Sequence, residues 1–427
     1  MPTSAIEPRV PNGNAATGTH SPSLFANPQA TRASYPAELR AIMCIERAEE
    51  SRRWLAAWSG IARQATPLYD LPGLAQKLRV ARFSVKDESV RSPLGSFKAL
   101  GAPIALVRQI LRLHPEFEPA SILTGSYAKQ LKDYTVISAT DGNHGRGLAA
   151  AARDAGCRCV IVLHANVSVE REEAIAEFGA EIVRIKGNYD ESVEEAARLS
   201  AAHGWQVVSD TSYEGYEDIP RDVMQGYGTI AAEIVEQTDA RANEAGAFTH
   251  VFLQGGVGGM AAGLFSYLWE FQGEHRPHFI VVEPDQADCL LQSAIQGRAA
   301  KATGSIDSVM AGLACGETSP LAWKFLQTSA DHFMTIEDGL AVEAMKTLAN
   351  GSEKDIPIVA GESGTAGLAA LEVLRANDAL SAQVKLDANS RVLIINTEGA
   401  TAPLVYKQLV GCSAEEIAAK QAAWRTA

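Results

Sequence analysis

Four short segments of the chain carry residue types that could do chemistry. The first, Ser92-Pro93-Leu94-Gly95-Ser96-Phe97-Lys98, sets a lysine behind a Pro/Gly/Ser loop at the opening of an apolar stretch. A helix N-terminus disfavours a cation and would lower the amine's pKa, which is what a lysine that forms a Schiff base requires. Read alone, the segment fits a surface lysine more readily. The second is Thr140-Asp141-Gly142-Asn143-His144-Gly145 at a strand-to-helix junction. Its two glycines let the backbone approach a ligand, and the amides that open the next helix form an anion site. A plain helix cap is the alternative. His144 has no partner at metal-ligand spacing and reads as structural or supporting, and no segment reads as a metal site.

The third segment, Gln254-Gly255-Gly256-Val257-Gly258-Gly259-Met260, has the composition and placement of a phosphate cradle. Gly256, Gly258 and Ala261 also fit G-x-G-x-x-A, and Glu283 ends the following strand where a ribose-binding acid could sit. A nicotinamide-dependent oxidoreductase is therefore a rival, although it has no role for the other segments. The fourth is Gly361-Glu362-Ser363-Gly364-Thr365, followed later by Asn396-Thr397-Glu398-Gly399. A hydrolase elbow fails on spacing, because the second glycine of G-x-S-x-G falls on Thr365. The Thr397 hydroxyl, at a strand end, could bond the ring nitrogen of a heterocycle, or it is a turn residue.

These segments need elements to hold them. Apolar strands are expected at Tyr134–Ala139, Arg158–Leu163, Glu181–Ile185 and Trp205–Ser209, separated by helices near Gly145–Ala155, Val169–Phe178 and Glu191–Ala202. That alternation predicts right-handed βαβ units and a parallel sheet. A second series has a long helix at Pro220–Gln237, strand His250–Gln254, helix Gly259–Phe271, strand His278–Glu283 and a late strand Arg391–Asn396. Strand Arg82–Val85 and helix Phe97–Leu111 would join it. The fold class expected is α/β: two open parallel-sheet lobes with the active site in the cleft between them.

The bulk properties narrow the partners. The 427 residues carry a net charge of −13 spread along the sequence, which argues against nucleic-acid or anionic-membrane partners. No apolar run approaches the about 20 residues of a membrane span, and with no basic region followed by an apolar stretch near the start, a secretory signal is not expected. Residues 1–34, rich in Pro, Ser, Asn, Ala and Gly, read as a mobile tail. The six cysteines lack zinc spacing, so reduced thiols and a cytoplasmic setting are expected.

Taken in order, the motifs S-F-K, G-N-H-G and a central G-G-x-G-G resemble the fold-type II pyridoxal-phosphate enzymes, which include serine and threonine dehydratases and tryptophan synthase β subunits. More narrowly, the sequence resembles the diaminopropionate ammonia-lyases. The stretches that carry this are Lys86-Asp87-Glu88-Ser89, Phe97 to Gly101, Thr140 to Gly147, Asp210-Thr211 with Glu214-Gly215-Tyr216, and Met224 to Tyr227. Glu283-Pro284-Asp285 with Ala287-Asp288-Cys289, Met310 to Glu317, Gly361 to Gly364 and Thr397-Glu398-Gly399 complete them.

The resemblance implies a tryptophan synthase β-like fold with a large domain (35–112 and 221–427), a small one (113–220) and a homodimer. It implies pyridoxal 5'-phosphate carried on Lys98, with its phosphate held by Gly255, Gly256, Val257, Gly258 and Gly259. Asn143 would bond the pyridoxal 3'-oxygen, and Thr397 would face the ring nitrogen. Thr140, Asp141 and Gly142 would hold the carboxylate of a small amino-acid substrate, 2,3-diaminopropionate, which loses ammonia to give pyruvate and two ammonia. Lys98 would take the Cα proton of the L isomer and Asp141 that of the D isomer, with Asp210 a second acid. A serine- or threonine-type dehydratase or β-replacement enzyme is the neighbouring reading. Asn396, Ala400 and Tyr213 depart from the residues usual in the family (Ser, Asp and Trp). Cys289 and Cys315 fall at positions that can pair as a disulfide in relatives.

Overall fold

A computed structural model describes residues 23–140, 142–165, 167–187 and 189–426. Two sheets organise it. The larger has seven strands: β1 (Leu24–Ala26), β2 (Leu68–Asp70), β3 (Arg82–Asp87), β8 (His250–Gln254), β9 (His278–Pro284), β10 (His332–Ile336) and β11 (Arg391–Asn396). Their order is β1-β10-β9-β8-β11-β3-β2. The smaller sheet takes β4 (Thr135–Ala139), β5 (Arg158–Leu163), β6 (Glu181–Arg184) and β7 (Gln206–Val207) in the order β6-β5-β4-β7. All its pairings are parallel, and in the larger sheet only the edge strands β1 and β2 run antiparallel.

The central strands are buried on both faces, which is why they read as continuous apolar runs: β8 is wholly buried, and β9 and β11 are buried beyond their first residue. Strands nearer the edge are less legible. β10 (HFMTI) mixes histidine and threonine into an otherwise apolar buried strand, and its pattern does not announce it.

Residues 23–34 correct the expectation of a tail to residue 34. β1 pairs with β10, with Leu24 opposite Met334. Asn27 donates to Gln327 O (3.0 Å) and Ala330 O (2.7 Å), and Ala33 O accepts from the Trp269 indole (2.8 Å). Backbone pairing and side-chain hydrogen bonds thus offset the ordering entropy that composition alone predicts to dominate. Residues 1–22 lie outside the described residues.

The helix expected at Phe97–Leu111 is broken. Phe97–Leu100 form a single 3₁₀ turn, and the α-helix runs Ala102–Leu113. The break sits at Gly101, where a Cβ would come within 2.7 Å of the Tyr227 ring and of Val223. Gly147 also lies against the turn, where a Cβ would meet Lys98 O at 3.0 Å. Gly147 on helix Asn143–Ala155 and Gly226 on helix Asp218–Gln237, where a Cβ would come within 2.1 Å of Leu100 O, therefore let both close around the Lys98 turn. The C-terminal ends of β4, β8 and β11 lead into the Thr140, Gly255 and Thr397 loops, the usual ligand side of parallel sheets.

Candidate active site

The Lys98 turn is laced to the exit of β11. Phe97 N donates to Thr397 O (3.0 Å), Gly399 N donates to Gly95 O (2.9 Å), and Ser96 bridges Glu398 through the backbone. Lys98 Nζ pairs with Asp210 Oδ2 and lies 5.3 Å from the centre of the Phe97 ring. Both charged side chains keep 20% of their surface. His144 Nδ1 approaches the same Asp210 oxygen at 3.7 Å, and its Nε2 lies 2.9 Å from Val208 O.

The amine is not depressed as the N-terminal position suggested. Burial disfavours the Lys98 ammonium, but the Asp210 carboxylate outweighs it and holds the group above the ordinary lysine value. Asp210, despite its own burial, is held below the usual carboxylate range by Lys98 and then His144. A single 3₁₀ turn carries little macrodipole, whereas a carboxylate in contact acts at full strength.

In the second segment, Thr140 is buried, and its hydroxyl accepts from Gly142 N (3.2 Å) and Gly145 N (3.4 Å). Asn143 opens the helix and donates through Nδ2 to Glu398 Oε2 (2.6 Å), joining the small sheet to the large one. Asp141 lies outside the described residues.

The glycine loop has the backbone its composition requires. Gly256 (φ 60°) and Gly258 (φ 98°) occupy the left-handed region, and helix Gly259–Gln272 begins directly after. The first amides of that helix have no intrahelical acceptor. A Cβ at Gly259 would make ordinary contacts, 3.8 Å from Asp210 O and 3.5 Å from Met224 Cγ. One at Gly258 would meet Leu326 Cδ1 at 2.9 Å and Ala322 Cβ at 3.1 Å. Packing, besides ligand space, thus demands a glycine there. Glu283 is fully buried and spends both oxygens on Leu290 N and Leu291 N (2.8 Å each), at the start of helix Cys289–Gln296. Burial pushes it up to about 8. It is a helix cap, so the oxidoreductase rival loses its ribose acid.

Thr397 is buried at the β11 exit. Beside it lies a carboxylate pair to which sequence reasoning assigns no role. Glu398 accepts from Asn143 and from Ser363 N (3.3 Å), and Glu362 meets Arg171 Nη2 at 3.5 Å. Burial and then the neighbouring Glu398 push Glu362 up to about 7. Two acids in glycine-flanked motifs are the available signal. Cys289, one of the two cysteines at positions that can pair in relatives, carries a free thiol that approaches Gly256 O (3.4 Å).

These residues fit pyridoxal phosphate. A largely buried primary amine stands two residues from the Ser96 hydroxyl, which is buried and has no hydrogen-bond partner among the described residues. The Gly259 end of the glycine loop closes on the carbonyl of Asp210, the residue that pairs with that amine.

Residues 61–398 match the family model described as pyridoxal-phosphate dependent enzyme. The diaminopropionate ammonia-lyase of Escherichia coli K12 is 39% identical over 352 residues, covering 81% of this chain and 87% of the relative. The crystal structure of selenomethionine-incorporated holo diaminopropionate ammonia lyase from Escherichia coli superposes with a TM-score of 0.82 at 34% identity, covering 91% of this chain and 96% of that one. The same lyase in complex with an aminoacrylate-PLP azomethine reaction intermediate gives 0.80 at 34% identity, with coverages of 91% and 96%. With that likeness running through both sheets and all three loops, the chain belongs to the pyridoxal-phosphate dependent enzymes, in the family of the diaminopropionate ammonia-lyases.

Proposed function

We propose that this enzyme eliminates ammonia from both isomers of 2,3-diaminopropionate, with pyridoxal phosphate carried on Lys98, and yields pyruvate and two ammonia. The observation that carries the reading is the Lys98–Asp210 pair, set where the glycine loop and the β11 exit meet, in a protein of this family. When bound, pyridoxal phosphate supplies a carbonyl carbon for the amino group and an electron sink for the charge left at Cα.

The protein's own residues do the rest. The amides of Gly255, Gly256, Val257, Gly258 and Gly259 hold the phosphate. The Asn143 amide and the Thr397 hydroxyl orient the ring, and Thr397, being neutral, leaves the ring nitrogen largely unprotonated. Thr140, Asp141 and Gly142 hold the substrate carboxylate. Lys98 takes the Cα proton of the L isomer, and Asp141 takes it from the other face for the D isomer. Asp141, once protonated, returns a proton to the departing β-amino group. Asp210 stabilises the charged state of Lys98. The two sheets support a small domain of 113–220 and a large domain of 35–112 with 221–427. The assembly is a cytoplasmic homodimer. Among the described residues no helix is long and apolar enough to cross a membrane.

Borohydride reduction of the yellow holoenzyme, followed by peptide mapping, should place the pyridoxyl group on Lys98. An assay of ammonia and pyruvate should show turnover of L- and D-diaminopropionate. Labelling of another lysine would end the Lys98 assignment. Pyruvate from serine without turnover of diaminopropionate would make the enzyme a dehydratase.

A further inference from the structure

Lys98, Asp210 and His144 lie in one line of contact. Asp210 Oδ2 is shared between Lys98 Nζ and His144 Nδ1, the latter at 3.7 Å, an ion-pair separation. His144 is 4% exposed, and its Nε2 lies 2.9 Å from Val208 O. A carbonyl oxygen only accepts, so Nε2 carries a hydrogen. A neutral imidazole would then aim the bare lone pair of Nδ1 at a carboxylate, acceptor against acceptor. Nδ1 is buried and has no hydrogen-bond partner among the described residues. One additional proton between Nδ1 and Asp210 removes the conflict.

We propose that His144 is a positioning residue for Lys98: it shares that proton with Asp210, so that Asp210 stays neutralised when Lys98 gives up its own. Lys98 must alternate between amine and ammonium as it takes the Cα proton and later gives it up to solvent. With Lys98 as the lone cationic partner, each loss of a proton would strand a buried carboxylate, which is strongly unfavourable. His144 removes that penalty without transferring an atom to substrate; the shared proton stays in place through the cycle. Among the described residues, the other titratable groups facing this line are Tyr227, Tyr216 and Cys315. Burial raises both tyrosines, so they stay neutral around pH 7 and cannot take over the role.

The proposal deepens the reading of Lys98 as carrier and base and rests on it. The test uses the holoenzyme with His144→Gln and His144→Asn. Glutamine can keep the bond to Val208 O but cannot hold a proton for Asp210. Asparagine can donate toward Asp210 and so serves as the conservative variant. Without His144, Asp210 acts on Lys98 alone, and deprotonation requires a higher pH. In His144→Gln the acid limb of kcat/KM for the L isomer should move up by about one pH unit, which is about a tenfold loss on that limb. The pH midpoint of the visible cofactor band should move the same way, with His144→Asn intermediate and melting temperatures near wild type. Unchanged midpoints in both variants, with lowered melting temperatures, would make His144 a packing residue and overturn the proposal. The band titration decides this even if wild type fails to turn over diaminopropionate, an outcome that would sink the substrate reading alone.

Discussion

The molecule buries two lysines beside carboxylates, and they behave as opposites. Lys86, in β3, is fully buried and surrounded by oxygens: Thr66 O (2.8 Å), Glu233 Oε2 (2.6 Å) and Gln237 Oε1 (2.9 Å). Glu233 is in turn gripped by Arg91 (2.7 Å), which also binds Glu88. An ammonium has three hydrogens, and here all three are committed. Burial lowers the pKa of Lys86, and Glu233 opposes the shift. Lys98 instead keeps a fifth of its side chain exposed and pairs with a carboxylate that has a second neighbour in the His144 imidazole. A saturated lysine is a rivet. A lysine with a single carboxylate partner and part of its side chain open to solvent can be reached by a ligand.

Breaking the two lysines should separate these roles most sharply. Lys98→Ala should lower elimination by about 10⁴-fold or more while shifting melting by no more than about 3 °C. Lys86→Met should leave Glu233 partly uncompensated and cost about 3–5 kcal/mol of stability, with activity following the folded fraction. Urea unfolding beside steady-state assays would measure both. Comparable stability losses in the two variants would collapse the distinction.

Next in size is the split between the two faces of Cα. Asp141→Asn should reduce turnover of the D isomer by about 10²- to 10⁴-fold and the L isomer far less. The ratio of the two kcat/KM values is the quantity to follow, since a shared role of Asp141 as acid would lower both. Equal losses would make Asp141 a leaving-group or positioning residue.

The glycine loop should divide within itself. Gly258→Leu adds a side chain where Leu326 and Ala322 already crowd, at a φ of 98°, so a destabilisation of about 2–4 kcal/mol is expected. It therefore tests the core as much as the phosphate site. Gly259→Ala meets only ordinary contacts and should stay within about 1 kcal/mol of wild type while weakening cofactor retention. Equilibrium dialysis against pyridoxal phosphate, set beside thermal melting, distinguishes the two. Full retention in Gly259→Ala would show that a side chain at that position leaves the phosphate space open.

The smallest effect concerns the carboxylate pair. Glu362 is raised from 4.5 to about 7, so the folded state holds a proton that the unfolded state releases between those values. Stability from this group accordingly falls as pH rises from about 4.5 to 7, and the penalty is complete above that window. Glu362→Gln should gain about 1 kcal/mol at pH 8 and nothing near pH 5, as read from unfolding midpoints. A gain independent of pH would place its origin in packing.

Much of this architecture is legible in the sequence alone. Strands 158–163, 250–254 and 391–396 have the bounds their residues announce, because strands buried on both faces must be apolar throughout and end where glycine or polar residues begin. The same local logic puts the Thr140, Gly255 and Thr397 segments at strand exits, and in the Gly255 loop the turn needs glycine at Gly256 and Gly258, where φ is positive.

What only the tertiary structure decided is which distant groups meet. Asp210 stands 112 positions from Lys98 and sets its charge, reversing the shift that the local helix argument suggested. Glu283 looks like a ribose acid in sequence and becomes a cap only when helix Cys289–Gln296 turns its first amides onto it. Gly101 ends the Lys98 turn because Tyr227 and Val223, far along the sequence, leave no room for a side chain. Residues 24–26 become a strand because β10 offers an open edge. Periodicity and turn chemistry act over a few residues and are written into the sequence. Charge pairing, close approach and edge pairing depend on distances across the fold, which no run of neighbouring residues encodes.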